Sequence, residues 1–113
     1  MITIYHNPRC SKSRACLQLL QKTGKTVEVI DYLRQPLSLE CIRHFAKHLG
    51  LKALVRNNET IYKELQLADA DEETVLQAMI KHPQLLQRPI VVSGEKIVIA
   101  RPPEKVLEFI NDR

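Results

Sequence analysis

A chain of 113 residues with 44% apolar and 27% charged residues can fold around one core, and is too short for two. No apolar run approaches the ~20 residues of a membrane span, and the formal charge of +4 comes from scattered Lys and Arg, not from a basic run of the kind that marks a nucleic-acid arm. Three cysteines without framework spacing argue against a secreted disulfide scaffold, and the chain opens on an apolar strand with no basic leader, so no signal peptide and a reducing cytoplasm are expected.

In chain order, Met1 to Tyr5 predicts a strand. From about Ser11 to Lys22 the residues Cys16, Leu19 and Leu20 recur at helical spacing, and Gly24 follows as a C′ residue. The short β-branched run from Thr26 to Ile30 predicts a second strand, and Asp31 to Pro36 a loop. Ser38 can cap a second helix with Leu39, Ile42, Phe45, Ala46 and Leu49 on its apolar face, stopped by Gly50. Leu51 to Arg56 reads as a helical turn leading into a loop that runs to Glu59, and Tyr62 to Leu67 as a short helix. Asp69 or Asp71 opens a third helix; its acidic first turn complements the helix dipole, Val75, Leu76, Met79 and Ile80 form its inner face, and Pro83 ends it. Two strands, Pro89 to Val92 and Ile97 to Ala100, flank a tight turn from Ser93 to Lys96. Pro102 and Pro103 open a last helix with Val106, Leu107 and Ile110 inward.

The order β-α-β, helices, β-hairpin, helix predicts a single α/β domain over 1–113. The parallel first unit and the antiparallel hairpin combine into a four-stranded mixed sheet flanked by helices, with a helical insertion between strands 2 and 3. This is the thioredoxin-like layout, with the first and third strands central and antiparallel. Pro89, at the start of the third strand, is a candidate cis proline.

The stretch His6 to Arg14 joins the first strand to the first helix. A cysteine at such a turn meets unpaired helix N–H groups and the helix dipole, which favour a thiolate and also seat an oxyanion. Cys10 therefore reads either as a nucleophile or as a buried structural thiol. Antiparallel pairing brings the start of the third strand and the end of the fourth to the same sheet edge, so Arg88 and Arg101 are expected beside Cys10. Taken singly each could be a solvated strand-end residue; taken together they offer two planar donor forks to an anion. Arg56 lies in a loop that this geometry does not place. Arg14 could bind an anion, pair with a carboxylate or face water. His6 could serve the thiol or simply satisfy the turn, and Ser13 could cap the helix or donate to the thiolate. Cys16 and Cys41 read as structural, and His44, His48 and His82 show no ligand spacing with cysteines or carboxylates, so no metal is expected.

Residues 2–14, with the segments Leu54 to Glu59, Leu65 to Leu67, Gln87 to Val92 and Ala100 to Glu104, resemble the glutaredoxin-dependent arsenate reductases, the ArsC-like family, over almost the whole chain. The resemblance implies that Cys10 is the catalytic thiol, that His6 helps to activate it, and that Arg56, Arg88 and Arg101 hold arsenate and its covalent adduct. Ser13 and Arg14 occupy matching positions after the cysteine and are counted with the substrate-binding set. It further implies chemistry without metal or flavin, with glutathione as co-substrate and glutaredoxin as partner; no tightly bound cofactor, a monomer, and no nucleic-acid or membrane partner are expected. Two alternatives stand beside it. Spx-type regulators share the fold and bind RNA polymerase through a Cys-x-x-Cys switch, but here Ser13 stands at the second cysteine position. Other relatives are glutathione-dependent thiol oxidoreductases.

Overall fold

Which residues of the first strand face inward decides where the site forms. In the computed structural model, which describes residues 1–111, the chain runs β1 (Ile2–His6), α1 (Ser11–Lys22), β2 (Val27–Asp31), α2 (Leu39–Leu49), α3 (Leu51–Leu54), α4 (Thr60–Glu64), α5 (Glu72–Lys81), β3 (Ile90–Ser93), β4 (Lys96–Ile99) and α6 (Lys105–Asn111), with 3-10 turns at Leu67–Asp69 and Pro83–Leu85. The expected domain runs to residue 113, and its last two positions lie outside the described residues. Strand periodicity sends Ile2, Ile4 and His6 to one face, and all three are buried. Two of them carry the core; the third, at the strand's end, is polar and belongs to the site.

The chain separates into two units, one built on the sheet and one on the helices between Pro36 and Gln87. In the sheet unit the strand order is β2-β1-β3-β4. β1 runs parallel to β2, with His6 opposite Asp31, and antiparallel to β3, with Tyr5 opposite Ile90. β4 returns along β3, with Ile99 opposite Ile90. This is the thioredoxin-like sheet that the element order predicts, and its register puts the ends of β1 and β4 and the start of β3 at one edge. α1 and α6 pack together, and Ile2, Ile4, Cys16, Leu20, Val91, Ala100, Val106 and Ile110 make a continuous core. Each large aliphatic in it contributes about 1.5–3 kcal/mol by leaving water.

The β3–β4 turn has two residues between the strands, and Gly94 takes φ 63°, a conformation that costs glycine little and other residues more. The Arg88–Pro89 bond is cis, and so is Arg101–Pro102, which the sequence did not single out. β2 lies one residue later than expected because its pairing with β1 extends through Asp31.

In the helical unit, Ser38 Oγ accepts the Cys41 N–H at 3.1 Å and starts α2, which buries Ile42, Phe45 and Ala46. Asp71 caps α5 in the same way, accepting from Thr74 N–H at 2.8 Å, and Val75, Leu76, Ala78 and Met79 are buried as α5 packs on α2. The helix expected over Tyr62 to Leu67 starts earlier and stops sooner, at Thr60–Glu64. Gln66 adopts the left-handed conformation (φ 54°), so Leu67 opens a separate 3-10 turn. Val55 and Leu86 form an isolated antiparallel bridge that no local pattern announces. Among the described residues, no helix is long and apolar enough to cross a membrane.

Candidate active site

The loop after β1 is closed by one side chain and one carbonyl of the same residue. Asn7 accepts the Arg9 N–H on Oδ1 and the Cys10 N–H on its carbonyl oxygen, each at 3.0 Å. Asn suits this because its short amide can mimic a backbone turn. The closure leaves Cys10 as the N-cap of α1 in extended conformation (φ −97°, ψ 122°), with its carbonyl accepting the Arg14 N–H at 3.0 Å.

Burial alone would push the Cys10 thiol up. Against this, the first-turn backbone N–H groups of Ser13 and Lys12 and the Arg88 side chain favour the thiolate, and the Arg88 charge adds to them. The net effect holds the thiol below its ordinary value of 9.0. Arg88 stands just before β3. Just after β4, Arg101 donates from Nη1 to the Arg88 carbonyl oxygen at 2.9 Å. Ala100 N–H donates to the Pro89 carbonyl oxygen at 3.0 Å and continues the pairing beyond the strand ends. The sheet edge thus brings Cys10, Arg88 and Arg101 together.

Beneath the thiol lies a buried polar chain. Ser13 is fully buried, and its Oγ sits 2.7 Å from His6 Nδ1 while accepting the Asn7 N–H at 3.0 Å. Burial lowers the pKa of His6, the Asp31 carboxylate opposes that, and the Arg14 charge reinforces it; the net direction is down, so His6 is held neutral. A neutral ring is satisfied by accepting the Ser13 hydroxyl at Nδ1 and carrying its own proton on Nε2, which is the tautomer we assign. Asn7 Nδ2 in turn donates to the Tyr32 hydroxyl at 3.3 Å. His6 makes no hydrogen bond to Cys10 among the described residues; it is tied to Ser13, in the first turn of the helix that Cys10 caps.

Residues 5–109 match the profile of the ArsC family. The chain belongs to the ArsC family. It is 48% identical to the uncharacterized protein YfgD of Escherichia coli K12, over 96% of each chain. It is 42% identical to a protein named arsenate reductase of Neisseria meningitidis serogroup A, over 93% of this chain and 94% of that one. Among solved structures, the arsenate reductase from Vibrio cholerae superposes with a TM-score of 0.89 at 43% identity, covering 95% of each chain.

Not every residue that the sequence marked in this ArsC chain lies in the sheet unit. Arg56 belongs to the helical unit, where its N–H donates to the Leu85 carbonyl oxygen at 2.7 Å and its Nε lies 3.4 Å from Glu59 Oε2. Arg14 folds back over the loop and donates from Nη1 to the Pro8 carbonyl oxygen at 2.8 Å. Burial pushes the Cys16 thiol up to about 12, which makes it a core residue in chemistry as well as position. Among the described residues, no three His, Cys, Asp or Glu side chains gather as a metal site. Sequence reasoning left Tyr32 in a loop and gave Asn7 no part of its own. The signal was in the parallel register: with His6 opposite Asp31, the next residues in each chain segment are Asn7 and Tyr32.

Proposed function

We propose that this protein is an arsenate reductase that uses Cys10 as its nucleophile, glutathione as co-substrate and glutaredoxin as reducing partner. It would work as a monomer in a reducing compartment, with no tightly bound cofactor. The observation that carries the reading is a thiol held toward thiolate by two helix N–H groups and by Arg88, with Arg101 tied to the same arginine. Family membership and the relatives named arsenate reductase support it.

The chemistry needs a thiolate to approach an oxyanion of its own sign, and the guanidinium groups lower that barrier by spreading the charge. The thiolate attacks arsenic; an As–O bond breaks and, with protons taken up, the oxygen leaves as water. The thiol of glutathione then adds to the arsenic of the Cys10 adduct, releasing a second water. A glutaredoxin thiolate attacks the glutathione sulfur, and the S–As electron pair passes to arsenic, which falls from the +5 to the +3 state. The two-electron oxidation ends up in the glutaredoxin–glutathione disulfide. Water finally releases arsenite from Cys10.

Arsenate-dependent NADPH oxidation, coupled through glutathione reductase, glutathione and glutaredoxin, tests the reading. Turnover that depends on arsenate and vanishes in Cys10→Ser is expected. Folded protein that shows none, or that reduces model disulfides with glutathione regardless of arsenate, would point to the thiol-oxidoreductase reading instead. The family resemblance counts Arg56 with the arsenate-binding arginines, and Arg56→Ala in the same assay tests that assignment.

A further inference from the structure

The first 27 residues contain Arg9, Lys12, Arg14, Lys22 and Lys25 and no Asp or Glu. Three of these five cations lie within four residues of Cys10. Arg14 is committed to the Pro8 carbonyl. Arg9 and Lys12 are exposed, and their side chains make no hydrogen bond or ion pair with any described residue. Their backbones, by contrast, are fixed: the Arg9 N–H is spent on Asn7 Oδ1, and Lys12 lies in the first turn of α1. Elsewhere Arg34, Arg43 and Arg56 each find a carboxylate. The nucleophile is thus flanked, one position before and two after, by cations with anchored backbones and uncommitted charges. Arg88 already serves the thiol, so neither Arg9 nor Lys12 is needed to hold the thiolate.

We propose that Arg9 and Lys12 are the carboxylate-binding arms of a subsite for a small thiol that carries carboxylates, seated so that its sulfur reaches Cys10. This rests on the proposed function insofar as that thiol is the one that attacks the arsenic adduct. The charge selection itself acts on any anionic thiol or disulfide that approaches Cys10, and can be measured without arsenate.

The experiment uses the full chain in a Cys41→Ser background, since Cys16 is buried. Cys10 is reacted with the dianionic disulfide 5,5′-dithiobis(2-nitrobenzoate) and with neutral 4,4′-dithiodipyridine. In both reactions the Cys10 thiolate attacks one sulfur, the S–S bond breaks, and the aryl thiolate leaves with the electron pair. The ratio of the two rates cancels any change in the thiolate fraction of Cys10. Charge reversal in Arg9→Glu/Lys12→Glu is expected to lower the anionic-to-neutral ratio by about tenfold at low salt, with the difference shrinking near molar salt. The charge-conserving pair Arg9→Lys/Lys12→Arg is expected to keep the ratio. In the coupled assay the parent is expected to prefer glutathione over its diethyl ester, and the Glu pair to lose that preference through KM. An unchanged rate ratio in the Glu pair overturns the subsite, whatever the arsenate assay shows. A lost ratio together with no arsenate turnover with any thiol keeps the subsite and rejects the reductase reading.

Discussion

Arg101 Nη1 donates to the carbonyl oxygen of Arg88 at 2.9 Å, so the two arginines at the sheet edge form one unit. Arg88 donates directly to the Cys10 sulfur, whereas Arg101 reaches it only through the backbone of Arg88. Their losses should therefore differ in kind. Arg88→Ala is expected to raise the Cys10 pKa, read from thiolate absorbance near 240 nm against pH, and Arg101→Ala to raise it less. Both should lower arsenate turnover by about a hundredfold or more, because each removes a donor fork from the anion. Equal thiol shifts in the two variants would contradict the direct contact of Arg88.

Ser13→Ala separates the hydroxyl of Ser13 from its N–H. The hydroxyl oxygen accepts the Asn7 N–H and meets His6 Nδ1, all in a buried setting. Removing it strands a buried donor, at a cost of about 1–3 kcal/mol. The urea midpoint should fall accordingly, while the Cys10 titration moves less than in Arg88→Ala, because the backbone N–H of Ser13 stays in place. A large thiol shift with little loss of stability would mean that the sulfur senses the hydroxyl.

Much of this was legible in the sequence. The β-branched runs, the cap at Ser38, the acidic first turn of α5 and the glycine at the hairpin turn each act over a few residues, so they marked the strands and the long helices, while the choice between Asp69 and Asp71 as the cap of α5 needed the structure. The convergence of Cys10, Arg88 and Arg101 followed from topology alone, because antiparallel pairing fixes which strand ends share an edge. Short elements without a strong period were harder. The α4 boundary turned on the left-handed Gln66, and glutamine carries no preference for that conformation. The Val55–Leu86 bridge is a single pair whose partners stand 31 positions apart, beyond any local pattern. The buried chain His6–Ser13–Asn7–Tyr32 needed the β1–β2 register as well as the residue types. No local pattern singles out Arg9 and Lys12; what sets them apart is that their backbones are held in the turn and helix start around the thiol.

His6 should make stability depend on pH below neutrality. Burial is the main reason its pKa lies below 6.5, with the Arg14 charge adding and the Asp31 carboxylate opposing. Between its lowered folded value and the unfolded value of 6.5, the unfolded state binds more protons, so stability rises with pH in that window. The protein should therefore be fully stable on this account above about pH 7 and lose stability as pH falls through 6.5 toward the folded value. Urea unfolding from pH 5 to 8 should show a positive slope in wild type and a flatter one in His6→Gln. The same slope in both would assign the acid sensitivity to another group.

Cys10 and Cys16 lie on the same helix start and first turns, yet their environments drive them in opposite directions. Cys16 has no exposed surface and burial pushes its thiol up to about 12, whereas helix N–H groups and Arg88 hold Cys10 below 9.0 despite its own partial burial. Iodoacetamide should therefore alkylate Cys10 in the native protein, with a rate that climbs with pH and levels off below the ordinary thiol range, because only the thiolate reacts. Cys16 should react only after unfolding in urea. Cys16→Ser should leave arsenate turnover unchanged and cost about 1–3 kcal/mol, because a hydroxyl in that apolar core must go without good partners. Peptide mapping after alkylation reads both halves at once: native labelling of Cys16 would mean that the α1–α6 core opens readily, and loss of turnover in Cys16→Ser with the fold intact would give the buried thiol a part in the chemistry.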